Sequence, residues 1–68
     1  MIVKKDIITL HQKRSYARRK LFPRNFVHTD VKDPWELWVC ADKPDFRVQI
    51  IEYGGFLEIY WLEQEEVD

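Results

Sequence analysis

The residues of this chain whose types could carry out chemistry are few and widely spaced. His28-Thr29-Asp30, with His11 elsewhere, could contribute to a metal site or to a histidine-based ribonuclease. An HxD spacing in a loop is common by chance, and no second pair of ligands has zinc spacing. The sequence also has no glycine-rich phosphate loop, nucleophile elbow or paired-cysteine motif. We therefore expect a protein that is not an enzyme and that uses no metal and no cofactor.

Basic residues are concentrated in the first third of the chain. Residues 1–24 contain eight cations and one acid, Asp6, which gives a net charge of +7. A basic segment of this kind is able to contact nucleic-acid phosphates. The candidate nucleic-acid-binding residues are Lys13, Arg14, Tyr16, Arg18, Arg19, Lys20 and Arg24.

The rest of the chain carries the opposite charge. Residues 25–68 hold three cations and eleven acids, a net charge of −8, so the overall charge of −1 conceals a strong asymmetry. Such asymmetry indicates a charged partner, self-association, or neutralisation of one half by the other. The near cancellation favours neutralisation, because a dedicated nucleic-acid domain more often keeps a net positive charge. The acids could also imitate a phosphate backbone, although acids at strand edges more commonly keep a sheet soluble.

Length and composition restrict the class of protein. A chain of 68 residues forms one domain with a small core, which a bound partner or a homodimer would stabilise. Cys40 is the single cysteine, so no disulfide forms within the chain, and this fits a reducing compartment. Lys4, Lys5 and Asp6 argue against a signal peptide, and no apolar run is long enough to cross a bilayer. We expect a cytoplasmic protein, in the host-cell cytoplasm if it is phage-encoded.

An amphipathic helix is predicted for the basic segment, residues 1–22. Apolar residues recur there at helical spacing, and Phe22-Pro23 is a suitable end. The apolar stripe consists of Val3, Ile7, Leu10, Ala17 and Leu21. Arg14 falls inside this stripe and residues 7–9 are β-branched, so the alternative is a strand over residues 2–10 followed by a shorter helix that Ser15 opens. Residues 23–34 are predicted to be a connector.

Two turns define a β-meander in residues 35–63. Tyr53-Gly54-Gly55-Phe56 is a two-residue hairpin turn, because glycine accepts the positive φ angles of the primed turns. This turn sets a register in which opposing residue numbers sum to 109. Asp42-Lys43-Pro44-Asp45 is interpreted as a four-residue turn that closes Ala41 onto Phe46, so that opposing numbers sum to 87. An acidic tail, residues 64–68, follows the meander.

The two registers divide the predicted sheet into two faces. One face is almost wholly apolar, and the basic helix is expected to cover it. It comprises Trp35, Leu37, Val39, Ala41, Phe46, Val48, Ile50, Leu57, Ile59 and Trp61.

The opposite face mixes aromatic and polar side chains, and such a surface often marks an interface. Its candidate protein-binding residues are Trp38, Arg47, Gln49, Tyr53, Phe56, Glu58 and Tyr60. Alternatively the connector, with Phe22, Phe26 and Val27, folds across this face.

The expected fold class is α+β, with an N-terminal basic amphipathic helix packed on a three-stranded antiparallel β-meander. A short strand before the helix is the alternative. The leading functional hypothesis is a small non-enzymatic binding protein, typical of phage or mobile-element regulators and inhibitors, that binds a host protein through the aromatic face and its acidic rim. The alternative is a regulatory protein that binds nucleic acid through the basic helix. No membrane interaction is expected.

Overall fold

The described part of the chain, residues 1–32 and 34–63 of a computed structural model, folds into an antiparallel sheet with a helix against one face. Five strands pair in the order β1-β5-β4-β3-β2. The elements in chain order are β1 (Ile2–Thr9), the helix α1 (residues 10–24), β2 (Phe26–Lys32), β3 (Trp35–Cys40), β4 (Phe46–Glu52) and β5 (Phe56–Glu63). The predicted three-stranded meander behind an N-terminal helix is therefore wrong. The predicted acidic tail, residues 64–68, lies outside the described residues.

Residues 2–9 form an edge strand instead of the first half of a helix. β1 runs antiparallel to β5, with Lys5 opposite Tyr60 and Ile7 opposite Glu58. The β-branched residues of this segment favour an extended backbone. Pairing with β1 also covers an edge of β5 that would otherwise expose unpaired backbone groups. Because the two strands are far apart in sequence, local helical spacing gives no sign of this pairing.

Most of the predicted connector, residues 23–34, is a second edge strand. β2 pairs with β3 from Phe26 opposite Cys40 to Lys32 opposite Trp35. The chain leaves α1 through Asn25, whose φ of 61° is left-handed, a conformation that asparagine tolerates better than most residues. The polar composition of residues 28–30 conceals the strand, since an edge strand can carry polar and charged side chains.

The pitch of α1 changes along its length, and this determines which side chains face the sheet. Its turns are 3₁₀ at Leu10–Gln12, α-helical at Lys13–Tyr16, a π turn at Ala17–Leu21, and 3₁₀ at Phe22–Arg24. Hydrogen bonds of a π turn span five residues, so Tyr16 and Leu21 reach the same side of the helix. The buried residues of α1 are Tyr16, Ala17 and Leu21. No helix of the described residues is long and apolar enough to span a membrane.

One of the two predicted hairpin registers is confirmed and the other is wrong by one residue. β4 and β5 pair with opposing numbers that sum to 109, as in Val48 opposite Trp61, so the register set by the Gly54-Gly55 turn is confirmed. β3 and β4 pair one residue away from the predicted register, with Trp38 opposite Val48. Ile50 therefore lies between Ile59 and Glu36, where Leu37 was expected.

A loop one residue longer than predicted causes this slip. Phe46 N–H donates to the Lys43 carbonyl at 2.9 Å, which forms a turn with Pro44 at its second position. Ala41 N–H donates to the Asn25 carbonyl at 2.8 Å, so Ala41 leaves the ladder. A one-residue slip moves every side chain of a strand to the other face. The side chains that exchange faces are Glu36, Trp38 and Cys40, now beneath α1, and Trp35, Leu37 and Val39, now on the far side.

The core is the layer between α1 and the sheet. Its fully buried side chains are Leu21, Val48, Leu57 and Ile59. A chain of hydrogen bonds fastens the helix to the β1-β5 edge. Trp61 Nε1 donates to Tyr16 Oη at 2.8 Å, and Tyr16 Oη donates to Asp6 Oδ2 at 2.7 Å. Burial, together with the hydrogen bond to the Asp6 carboxylate, raises the pKa of Tyr16 above its usual range.

Candidate functional site

The face of the sheet that points away from α1, here called the open face, is crossed by three rows of side chains. Residues directly opposite each other on adjacent strands share a face, so the registers identify the rows from β2 to β1. The first row is Val27, Val39, Arg47, Leu62 and Ile2; the second is Asp30, Leu37, Gln49, Tyr60 and Lys5; the third is Lys32, Trp35, Ile51, Glu58 and Ile7. Nine of these fifteen side chains are aliphatic or aromatic, so the open face is more apolar than an ordinary solvated surface.

Charged groups of the open face lie mainly near its two edges. On the β1 side, Lys5 Nζ is 2.6 Å from Glu58 Oε2 and 5.4 Å from the centre of the Tyr60 ring. The hydrogen bond between Lys5 and Glu58 raises the pKa of the Lys5 amine and lowers the pKa of the Glu58 carboxyl. On the β2 side, Asp30 and Lys32 are exposed.

The open face contains some but not all of the predicted protein-binding residues. Its rows include Arg47, Gln49, Glu58 and Tyr60. Tyr53 and Phe56 flank the glycine turn, where their rings stack with centroids 5.1 Å apart. Trp38 does not belong to this surface, because the slip of β3 buries it beneath α1 with 8% of its surface exposed. Sequence reasoning missed Trp35, Leu37 and Val39, which a five-residue reading of the Pro44 loop would have placed correctly.

The connector does not cover the open face. Phe26 pairs with Cys40 on the helix side and is buried there. Phe22 belongs to the last turn of α1 and its ring packs 5.9 Å from that of Trp38, also on the helix side. Val27 is itself part of the open face and is 49% exposed.

The outer surface of α1 carries five exposed cations, here called the basic face. They are Arg14, Arg18, Arg19, Lys20 and Arg24. None of the five lies within 4.0 Å of a carboxylate oxygen of residues 1–32 or 34–63. Arg24 Nη1 instead donates to the Lys20 carbonyl at 3.0 Å. Within the described residues, the expected neutralisation of these five cations by the acidic half is not found.

The two other predicted nucleic-acid-binding residues, Tyr16 and Lys13, are engaged in contacts within the protein. Tyr16 is buried and its hydroxyl is occupied by Asp6 and Trp61, so it does not lie on the basic face as predicted. Lys13 Nζ lies 3.1 Å from Glu36 Oε1, and this is the one ion pair of α1 with the sheet in the described part of the chain.

Glu36 is the centre of a buried cluster that the slip of β3 creates. Its carboxylate is also 3.0 Å from His28 Nε2, and the His28 ring stacks on Trp38 with centroids 4.6 Å apart. A bulge at Thr29 places His28 on the helix side and Asp30 on the open face, so the His28-Thr29-Asp30 sequence does not form one site. No three His, Cys, Asp or Glu side chains of the described residues are arranged to hold a metal ion.

Two clefts flank α1. One, of about 380 Å³, is bordered by Arg14, Phe22 and Trp38 and has Glu36 at its base. The other, of about 450 Å³, is mostly apolar and is bordered by Arg24 and Cys40. In the first cleft Phe22 is 55% exposed and Arg14 of the basic face borders the same space, so an apolar ring and a guanidinium are available to one ligand.

No protein-family model matches the chain, and comparison with curated protein sequences and with solved structures finds no significant match. Functional inference therefore depends on the basic face and the open face themselves.

Proposed function

We propose that this chain is a non-enzymatic protein that binds nucleic acid by contacting phosphates with the basic face of α1. The observation that supports the proposal is that five exposed cations have no carboxylate partner among the described residues. Cations that are not engaged within the protein are available to neutralise phosphates. Each neutralised phosphate releases cations condensed on the nucleic acid, and this release favours binding at low salt.

The exposed ring of Phe22 supports the same proposal. It projects from the last turn of α1, next to the basic face, and packs on Trp38, which holds it in place. An aromatic ring beside a row of cations is the usual arrangement for stacking an unpaired base while the backbone is held by charge. Single-stranded nucleic acid is therefore the preferred form, since a paired base is not available to stack.

The proposal predicts a steep dependence of affinity on salt. If the five cations each contact a phosphate, the slope of log K against log salt is about −3.5 for a single strand, from about 0.7 per contact. Affinity would then fall roughly a hundredfold between about 50 and 200 mM salt. The measurement is fluorescence anisotropy of a labelled single-stranded oligonucleotide titrated with the full chain at four salt concentrations.

Matched variants separate phosphate contact from net charge. Arg18→Gln should reduce the steepness of the salt slope by about 0.7 on a single strand, and Phe22→Ala should weaken binding to a single strand more than binding to a duplex. Lys32→Gln is the control, because it removes one charge from the open face, on the other side of the sheet from α1. Equal effects of Arg18→Gln and Lys32→Gln, or no binding at about 50 mM salt, would show that the basic face does not bind nucleic acid.

Docking of another protein on the open face is a second candidate function, and the apolar rows of that face favour it. In affinity capture from a nuclease-treated lysate, Tyr60→Asp should lose any partner bound there, whereas Arg18→Gln should retain it. The same partner captured by both variants would exclude the open face as its binding site.

A further inference from the structure

We propose that the open face binds a second copy of this chain, related by a twofold axis that lies between the two sheets and runs parallel to β4. The product is a dimer of four layers, with helix, sheet, sheet and helix in that order. This inference uses a different surface from the nucleic-acid proposal and does not depend on it.

The size of the open face matches that of a dimer interface. Five strands spaced about 4.8 Å apart, with about seven residues each at 3.3 Å, span roughly 24 by 23 Å. Two such faces in contact remove on the order of 1,100 Å² from water, which exceeds the roughly 1,000 Å² expected of a biological interface and is typical of a weak dimer. A single helix on one side leaves a chain of 68 residues with a small core, and stacking the sheets would add a second apolar layer.

The order of side chains across the sheet identifies a second copy as the occupant. A twofold axis parallel to β4, the central strand, places each row against the same row of the second copy. The order of the five residues in the facing row is then reversed. In the second row Asp30 then faces the second copy's Lys5, Leu37 faces its Tyr60, and the two Gln49 side chains meet at the axis. Opposite charges thus meet at both edges of the interface, which is the self-complementarity that a twofold dimer requires.

The alternative axis, perpendicular to the strands, is disfavoured by the same residues. It would place Lys5 against the second copy's Lys5 and Asp30 against its Asp30. Like charges opposed across an interface favour dissociation. Lys5 and Asp30 of the second row therefore favour one of the two ways in which aligned sheets can stack about a twofold axis.

The remaining charges of the open face fit a stacked dimer. Lys5 and Glu58 already form an ion pair within the chain, so covering them does not bury a single unpaired charge. Arg47 faces the second copy's Arg47 at the axis, and Lys32 faces its Ile7. Both side chains are exposed and lie near the ends of their strands, so their charged groups reach water at the rim.

The first test compares two valines of β2 that point to opposite faces. Val27 lies on the open face and is 49% exposed, whereas Val31 lies opposite Glu36 on the helix side and is 65% exposed. Sedimentation equilibrium of the full chain should give twice the chain mass for wild type and for Val31→Arg. Val27→Arg should raise the dimer dissociation constant at least about tenfold, because it places a cation against the second copy's apolar Ile2. A monomeric wild type at about 100 µM overturns the proposal and leaves the open face to a different protein.

The second test examines the axis by charge reversal. Asp30→Lys alone sets two cations against each other, and Lys5→Asp alone sets two acids against each other, so each should weaken its homodimer at least about tenfold. A mixture of the two variants should restore the wild-type mass, since each mixed contact again joins a cation and an acid. Lys5 and Asp30 of one chain are at opposite edges of the sheet, so this rescue cannot arise within a chain. Failure of the mixture to dimerise, with wild type dimeric, overturns the proposed axis.

Discussion

The hydroxyl of Tyr16 fastens α1 to the sheet, so its removal tests how the basic face is held in position. Tyr16→Phe keeps the buried ring and deletes Oη, which accepts from Trp61 Nε1 and donates to Asp6 Oδ2. The deletion opens almost no cavity, so the change in stability reports the hydrogen bonds. We expect Tyr16→Phe to lower the free energy of unfolding by about 2 kcal/mol.

This magnitude follows from the surroundings of the two partners. A hydrogen bond to a charged group contributes about 1.5–3 kcal/mol, and a buried donor left unpaired costs about 1–3 kcal/mol. The lower part of each range applies here, because the Asp6 side chain is 27% exposed and lies 3.5 Å from Lys4 Nζ. Since Trp61 is half-buried, water can also reach its indole after some rearrangement. A loss of about 2 kcal/mol would lower the Tm by roughly 8–16 °C in a domain of this size.

Urea unfolding, followed by tryptophan fluorescence and far-UV circular dichroism, measures the change. Tyr53→Phe is the control. Its hydroxyl bonds to Glu58 at an exposed position where water can replace the lost partner, so its effect should stay within about 0.5 kcal/mol. If Tyr16→Phe is as stable as Tyr53→Phe, the hydrogen-bonded chain from Trp61 to Asp6 does not hold the helix.

Three further predictions follow from burial and charge. Val48→Asp should unfold the domain, because it places an unpaired carboxylate at a fully buried position, and a cooperative urea transition for this variant would contradict the β4-β5 core. Trp38→Ala should cost about 3–5 kcal/mol, whereas Trp35→Ala on the open face should cost much less, and equal losses would contradict the assigned register of β3. The hydrogen bond from Lys5, and to a lesser extent that from Tyr53, lowers the pKa of the Glu58 carboxyl. The contribution of Glu58 to stability is therefore present above the ordinary pKa of 4.5 and is lost as pH falls through the lowered pKa. Glu58→Gln should therefore flatten the loss of stability below about pH 4.5, measured by urea unfolding at several pH values.

The two hairpins show what a sequence of this length determines about a sheet. The Gly54-Gly55 turn admits one common hairpin geometry, so the register of β4 and β5 could be derived from it alone. The loop that contains Pro44 admits closures of four or five residues, and both keep an apolar face. The choice depends on the bond from Ala41 to the Asn25 carbonyl, which belongs to another part of the fold. The register error assigned every side chain of β3 to the wrong face. Trp38 was therefore predicted to lie on the open face, where the structure has Trp35.

The N-terminal segment is a second case in which local sequence patterns do not determine the structure. Helical spacing and β-branched composition gave opposite indications for residues 2–9, and no local rule ranks one above the other. Pairing with β5 decides the outcome, and this contact joins the two ends of the described chain. The cations of the basic face needed no such contact, since exposed charged residues of a helix can be recognised from composition.

The positions of the two surfaces determine what the proposed dimer would do with nucleic acid. Each α1 covers the sheet face opposite to the open face, so stacking two open faces puts the helices on the two outer surfaces of the dimer. The basic faces then point away from each other, and one dimer cannot place both helices on the same short site, as a helix-turn-helix dimer does. It would instead join two segments, and binding of the first would raise the effective concentration of the second only where a polynucleotide is long enough to reach both faces. Tighter binding to long single strands than to short oligonucleotides, lost in Val27→Arg but retained in Val31→Arg, would be the consequence of this geometry.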